Sequence, residues 1–466
     1  MDLTREEEIV NIICENGFDA YICGGAVRDI FLGLDPQDYD IVTNAKPDEL
    51  ASIFPDRKVD LVGASFLVTL IDQIEVATYR TDTNCGPNRF NCKTEVCETL
   101  KEDLFRRDFT FNAMAVCPYT GDLIDYFHGR KDLEKKVVKF VGEPCDRIYE
   151  DYLRMIRAAR FACLIEGSLE NKTFEAIKEK RELVKSIAPE RIRAEILKTM
   201  CYKKPSIFFD MLHETGILEI ILPEFEALYG HTGGQYHGED LDEHCKMTGD
   251  SMSPKDPILR LAGYLHDIGK PLAYYQNEGK NFVDHEFIGK DLAEDILDRL
   301  KFSNDEIKRI SYLIRYHMRT MPNEMTSKAV RRMIKKFTDR NVNWKDWIKL
   351  RVADHNSNLK GEKYPKAIVR NAVLKIHSAT TITESGGFKI TDLNINGRDI
   401  MELLNIGPGP QVGEVLKELL YMVIDDPTLN AKEILTNIVK RGEYNGFISR
   451  QINEETIDSS AIIFEK

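Results

Sequence analysis

The chain has 466 residues, 42% of them hydrophobic and 30% charged, with a formal net charge of −13; this length exceeds one core of ordinary size and points to about two to four packed modules. No apolar run reaches transmembrane length and the opening MDLTREEEIV lacks a secretory pattern, so a soluble, cytoplasmic protein with no membrane partner is expected. The acidic balance excludes sequence-blind adhesion to nucleic acid over the whole surface but leaves room for a local basic groove.

Residues 1 to about 135 mix short β-rich runs (LVGASFLVTLI, IEVATYR, AMAVCPY, VVKFVG) with helical starts, the pattern of an α/β or α+β module. Within it, LDPQDYDIVTNAKP places Asp38 and Asp40 at alternate positions of an otherwise apolar run. On a strand such residues share a face, about 6–7 Å apart along the chain, and would serve one cluster of cations. Left unpaired they would repel each other and resist desolvation, and a divalent metal removes both objections. Glu75, in IEVATYR, has the same apolar and β-branched surroundings. Three carboxylates on neighbouring strands suit two-metal phosphoryl transfer, with ions about 4 Å apart, whereas either aspartate taken singly reads as a turn or cap residue. Upstream, CGGAVRDIFLG sets two glycines before a helix start, with Arg28 one turn in, a combination suited to polyphosphate.

After Pro144 the pattern is helical, with amphipathic segments at 148–165, 171–185, 189–201, 257–275 and 287–300. HSATTITESGGFK separates a last helical module, about 389–450, from the rest. Two Lys/Arg-rich helical patterns, 176–204 and 327–351, are candidate grooves or plain solvated faces. The ten cysteines form no CxxC pair, so reduced thiols are expected; Cys85, Cys92 and Cys97 cluster but lack a fourth zinc ligand at a usual spacing.

In EDYLR, Asp151 and Arg154 are three apart on an expected helix and share a face, with Arg157 and Arg160 continuing along nearby turns. Cytosine and adenine both present an exocyclic amine beside a ring-nitrogen acceptor, whereas uracil and guanine present a carbonyl beside an N–H. A fixed acceptor next to a fixed donor therefore accepts the first two and leaves unpaired polar groups with the others. An i, i+3 surface ion pair is the plainer alternative.

Further on, LAGYLHDIGKP carries adjacent His266 and Asp267, which suit one metal if other segments supply ligands. His244, His285, His317 and Asp354 follow that pattern, and His237 competes with His244. The set resembles the HD-domain metal phosphohydrolases. It implies a core site of His244, His266, Asp267 and Asp354, with His285 and His317 allowing a second ion.

GGAVRD, DYDIVTNA, EVATYR, EDLFRRDFTFNAMA, DYFHGRKDL and YEDYLRMIRAARFA, in this order, resemble the class II tRNA nucleotidyltransferases, that is, the CCA-adding enzymes and their bacterial poly(A) polymerase relatives. The resemblance implies an α+β chain: a small nucleotidyltransferase head with a mixed β-sheet and helices (1–140), an all-α neck (141–205), a helical body with an HD domain (206–375) and an RNA-binding tail (389–450). It implies template-independent addition of CCA to tRNA from CTP and ATP, with Mg²⁺ in the head and a divalent metal of open identity in the HD domain. An A-adding enzyme, a poly(A) polymerase, or an HD phosphohydrolase with a nucleotide-sensing head are the alternatives.

Residue by residue, the resemblance makes Asp38, Asp40 and Glu75 the catalytic metal carboxylates and gives Gly25 and Arg28 to the triphosphate. It assigns Arg107, Asp108 and Asn112 to phosphate and ribose, Asp151 and Arg154 to base selection, and Arg157 and Arg160 to places near phosphates. The loop Thr81–Glu102 is similar to the family's flexible loop, although its three cysteines depart from the pattern. LNINGRDIMELLNIGPGPQVGEVLKELLYMV resembles the RNA-contacting tail.

Overall fold

The computed structural model describes residues 5–36, 38–62, 67–83, 93–232, 238–380 and 389–446. Two compact units emerge, Met1–Ile307 and Lys308–Lys466.

After the helix Arg5–Glu15, the described residues of the first unit up to Ile124 carry nine strands: β1 (Ala20–Cys23), β2 (Asp40–Thr43), β3 (Val59–Val62), β4 (Val68–Ile71), β5 (Ile74–Thr78), β6 (Arg80–Thr83), β7 (Lys93–Val96), β8 (Ala115–Val116) and β9 (Leu123–Ile124). Seven form one mixed sheet in the order β3-β4-β5-β2-β1-β8-β9, while β6 and β7 pair as a separate hairpin. Within the large sheet β2 and β5 run parallel and the other neighbours antiparallel. Apolar residues at Ile9, Val10 and Ile13 turn one face of the helix Arg5–Glu15 inward. On the sheet, Cys23, Val42, Tyr79 and Ala115 pack with Leu100, Leu104 and Val141 in one buried cluster. The helix Leu100–Phe105 begins at a Thr99–Glu102 capping box, which satisfies two backbone donors reciprocally.

Beyond residue 143 the regular structure of the described chain is helical apart from Ser168–Leu169, which pairs back to Val137–Val138, and one isolated bridge, so the α+β division is as expected. Two expected helices are broken. The segment at 148–165 divides into Pro144–Glu150 and Leu153–Ile165, and the segment at 257–275 divides into Pro257–Leu265 and Lys270–Gln276. In the second case the chain turns because Gly269 abuts the His285 carbonyl and the Gly289 backbone, where a side chain would not fit. Arg260, 1% exposed, ties helix ends together, donating to the carbonyls of Met200, Tyr202, Lys203, Gly249 and Asp250.

In the second unit, Ile400, Leu419, Ile424 and Leu435 are buried in a core built by the helices Gly397–Leu404, Pro410–Asp425 and Lys432–Arg441. Arg331 donates to the carbonyls of Ile424 and Asp425, and Arg332 grips the Asp425 carboxylate with two 2.6 Å bonds. Part of the basic run at 327–351 is thus turned onto a helix C-terminus, where cations are favourable. No helix among the described residues is long and apolar enough to cross a membrane.

Candidate active site

The ladder between β1 and β2 ends at the pair Cys23↔Asp40, because Gly24 turns the chain at φ 75°. Asp40 therefore starts its strand, and Asp38 lies in the loop before it. The expectation of two aspartates on one buried strand is corrected: both are exposed, and β2 has no ladder partner ahead of Asp40. Between β2 and β5 the parallel register Ile41↔Val76 makes Asp40 and Glu75 the preceding neighbours. Directly adjacent residues of paired strands point to one face. Asp40 and Glu75 line one cavity of about 660 Å³ in the first unit, and Asp38 is not among its lining residues. Among the described residues, neither the Asp40 nor the Glu75 carboxylate forms a hydrogen bond or salt bridge.

Facing them, Arg28 donates to Asn112 Oδ1 at 2.8 Å, Asn112 donates to Asp108 Oδ1 at 2.9 Å, and Arg157 forks onto Asp108 Oδ2 at 2.8 and 2.5 Å. Burial opposes the Asp108 charge, but Arg157, the Asn112 bond and Arg154 outweigh it and hold the carboxyl well below the usual range. Arg28, Arg157 and Arg160 surround the Phe161 ring at 5.0, 5.3 and 4.0 Å from its centroid. Arg107 lies under Gly24, bonded to Cys23 Sγ at 2.8 Å and to Asp103 at 3.4 Å. Asp103 is wholly buried; Arg106 and Arg107 overcome its desolvation and lower its pKa. Burial pushes the Cys23 thiol up to about 12, so it stays a neutral acceptor there.

The helix break at Asp151, whose φ is −157°, means that Asp151 and Arg154 do not share one helix face as expected. Asp151 instead caps the following helix, its Oδ1 accepting the Leu153 N–H at 3.1 Å, while its Oδ2 accepts Arg191 at 2.7 Å. Arg154 donates to Glu150 at 2.5 Å and to the carbonyls of Arg147 and Arg106 at 3.1 and 2.8 Å. Arg160 is held by Glu195 and Tyr202, both at 2.5 Å. The sequence alone does not single out Asp103, Arg191, Glu195 or Phe161, although Arg191 and Glu195 fall within the Lys/Arg-rich pattern 176–204.

Gly24, Gly25, Arg28, Asp40, Glu75, Arg107, Asp108, Asn112, Asp151, Arg154, Arg157 and Arg160 all line the cavity. Its walls carry nine arginine and lysine side chains against six carboxylates, so an acidic chain has built a cationic hollow.

A second polar cluster lies in the same unit. His244, His266, Asp267 and His285 are buried, with His244 Nε2 3.3 Å from His266 Nε2, and His266 and His285 Nε2 each 3.3 Å from an Asp267 oxygen. His266 and His285 donate Nδ1–H to the carbonyls of Gly263 and Phe282, both at 2.8 Å, and His244 Nδ1 meets Glu239 at 2.9 Å. That tautomer turns Nε2 lone pairs toward the Asp267 carboxylate, which is also paired with Lys270 Nζ at 2.6 Å, and the set has the donor types that divalent cations take. His266 and Asp267 stand in the turn between two helices rather than on one helix. Cys245 also brings its sulfur near His266 and Asp267, but burial raises its pKa strongly and disfavours the thiolate. Asp354, bonded to Arg351 at 2.7 Å, and His317, bonded to the Ile314 carbonyl at 2.6 Å, belong to the second unit. His237, Cys85 and Cys92 lie outside the described residues.

A nucleotidyltransferase head of the poly(A) polymerase type, carrying a helical body, is the class that this fold and cavity define. Residues 20–139 match the family described as Poly A polymerase head domain, 168–229 the probable RNA and SrmB-binding site of polymerase A, and 286–439 the putative tRNA nucleotidyltransferase domain 2. The CCA-adding enzyme of Pediococcus pentosaceus is 30% identical over 447 residues, covering 93% of this chain and 96% of that one. That of Ligilactobacillus salivarius is 29% identical over 454 residues, covering 93% and 95%. The chain belongs to the CCA-adding enzyme family. Poly(A) polymerase I of Haemophilus influenzae is 35% identical, but over 47% of this chain and 52% of its own. Among solved structures, the Bacillus stearothermophilus CCA-adding enzyme in complex with CTP shares the fold at TM-score 0.67 and 23% identity, covering 96% of this chain and 98% of that one.

Proposed function

We infer that the protein is a CTP/ATP:tRNA nucleotidyltransferase that adds C, C and A to the 3′ end of tRNA. The tRNA 3′ hydroxyl attacks the α-phosphorus, a new P–O bond forms, the bond to the β-phosphate breaks, and pyrophosphate leaves. The observation that carries this reading is the gathering of two adjacent strand carboxylates, an arginine-rich wall and the Asp151–Arg154 region in one cavity. Asp40 and Glu75, exposed neighbours with Asp38 two residues upstream, fit divalent cations of the Mg²⁺ type. Such ions, when bound, activate the attacking oxygen and neutralise the leaving phosphates.

Arg28, Arg157 and Arg160 receive the phosphates, and Gly25 leaves room for their approach to the backbone. Arg107, Asp108 and Asn112 complete the contacts to phosphate and ribose. Asp151 accepts the exocyclic amine of cytosine or adenine, and Arg154 donates to the ring nitrogen beside it. In the body, His244, His266, Asp267 and His285 fit a divalent ion, supported by their tautomers and by Glu239 behind His244. The chemistry of that site is hydrolysis of a phosphoester.

One experiment tests both sites: Mg²⁺-dependent incorporation of labelled CTP and ATP into tRNA lacking CCA, in wild type, Asp40→Ala and His266→Ala, with bound metal measured alongside. Two C and one A are expected in wild type and His266→Ala and none in Asp40→Ala, with metal lost from His266→Ala. ATP incorporation alone would identify an A-adding enzyme, and unchanged metal content in His266→Ala would remove the second site.

A further inference from the structure

We propose that Arg191 is a specificity-determining positioning residue that holds the Asp151 carboxylate in the plane needed to read the incoming base. This rests on the assignment of Asp151 to base selection.

Asp151 is placed where a helix cannot orient it. Its extended backbone ends the helix Pro144–Glu150, and the torsion that sets a carboxylate plane is intrinsically broad. Two bonds fix that plane: the Leu153 N–H on Oδ1 at 3.1 Å and Arg191 Nη2 on Oδ2 at 2.7 Å. An ionised carboxylate has about four acceptor positions. With one used on each oxygen, the group still accepts a base amine while its direction is set.

The arginine in turn comes from a fixed platform. Arg191, Glu195 and Lys198 lie along one face of the helix Pro189–Met200, all three lining the cavity. Glu195, buried at 2% exposure, locks that helix to Arg160 of the neck at 2.5 Å. The Arg191 and Asp151 side chains are 28% and 10% exposed, so their ion pair is partly withdrawn from solvent and stronger than a surface pair.

A carboxylate held in this plane meets an acceptor when uracil or guanine enters, because those bases place a carbonyl where cytosine and adenine place an amine. A carboxylate free to rotate turns away from the carbonyl, and the penalty for the wrong base shrinks. Arg191 thus acts on the ratio between substrates as well as on the rate with either one, which a helix-to-helix tie alone would not do.

The test is single-nucleotide incorporation into tRNA lacking CCA with CTP, ATP, UTP and GTP in turn, for wild type, Arg191→Gln, Arg191→Lys, Asp151→Ala and the Arg191→Gln/Asp151→Ala double variant, each checked by thermal melting. In Arg191→Gln the ratio of kcat/KM for CTP over UTP is expected to fall about tenfold or more. Arg191→Lys, which keeps the charge without the planar fork, should restore part of it. In the Asp151→Ala background the second substitution should add no further loss of discrimination. A folded Arg191→Gln with the wild-type ratio, or a loss that adds in full to that of Asp151→Ala, overturns the proposal. If Arg191→Gln does not fold, an unchanged ratio in Arg191→Lys overturns it. Full discrimination in Asp151→Ala would instead remove the base-reading assignment and the proposal with it.

Discussion

Replacing Gly24 by Ala isolates the geometric demand of the turn between the sheet and the arginine-rich wall of the cavity. Two costs follow from the structure. Gly24 has φ 75° and ψ −125°, a region that an L side chain occupies at a cost of about 1–3 kcal/mol. An added Cβ would also stand 2.6 Å from Arg107 Nη1 and 3.4 Å from Asp40 Oδ2. Carbon contacts settle near 3.5–4.0 Å, so the guanidinium must move by about 1 Å, against its bonds to Cys23 and Asp103. A displacement of about 1 Å among reacting groups costs on the order of 10²-fold in rate. Gly17 supplies the control: its φ is 85°, yet a Cβ there would meet nothing within 4 Å. Both Gly24→Ala and Gly17→Ala should lower the melting temperature by several degrees. In steady-state CTP incorporation only Gly24→Ala should lose about 10²-fold in kcat/KM. Wild-type kcat/KM in Gly24→Ala, or an equal loss in Gly17→Ala, would refute the reasoning.

Two further expectations concern stability. Asp103 and Asp108 have folded pKa values held below the unfolded carboxylate value of about 3.9. Their contribution is therefore fully present above that value and is lost as pH falls through the folded pKa values. Urea titrations from pH 7 to pH 3 should show stability declining below about pH 4–5; Asp103→Asn should flatten that decline, and an unchanged acid slope in this variant would exclude Asp103 as its source. Arg260→Met leaves five helix-end carbonyls without their common donor and should cost about 3–5 kcal/mol in chemical unfolding, with a loss below about 1 kcal/mol counting against the role assigned to it.

What the sequence made legible was local or periodic. Asp40 and Glu75 stand out because acids in β-branched surroundings contradict their strands, and their adjacency across β2 and β5 agrees with that signal. Asp38 was read one element too far in, because strand length depends on where the partner ends, and β1 ends at Gly24 for a tertiary reason: the approach of Arg107. The breaks at Asp151 and at His266–Gly269 were hidden by continuous helical periodicity. EDYLR marks Asp151 but not the break there, and one oxygen of its carboxylate is claimed by a residue forty positions away. The turn after His266 is imposed by close packing on the His285 helix, although Gly269 and Pro271 hinted at it. The roles of Arg191 and Glu195 are not legible because their partners lie 40 and 35 positions away, and that of Asp103 because its i, i+4 and i, i+3 pairs with Arg107 and Arg106 read as an ordinary surface cluster until its burial is known.

The arginines around Phe161 bear on the end of the catalytic cycle as well as its start. Arg157 and Arg160 each have a resident carboxylate, Asp108 or Glu195, and Arg28 reaches Asp108 through Asn112. In the proposed reading, a triphosphate arriving there meets side chains already ordered, so little rotamer entropy is lost on binding. On the same reading, once pyrophosphate forms, the resident carboxylates compete with it for these guanidinium groups. An arginine wall with no internal partners would retain its most highly charged product, and one with partners to return to releases it and resets for the next nucleotide.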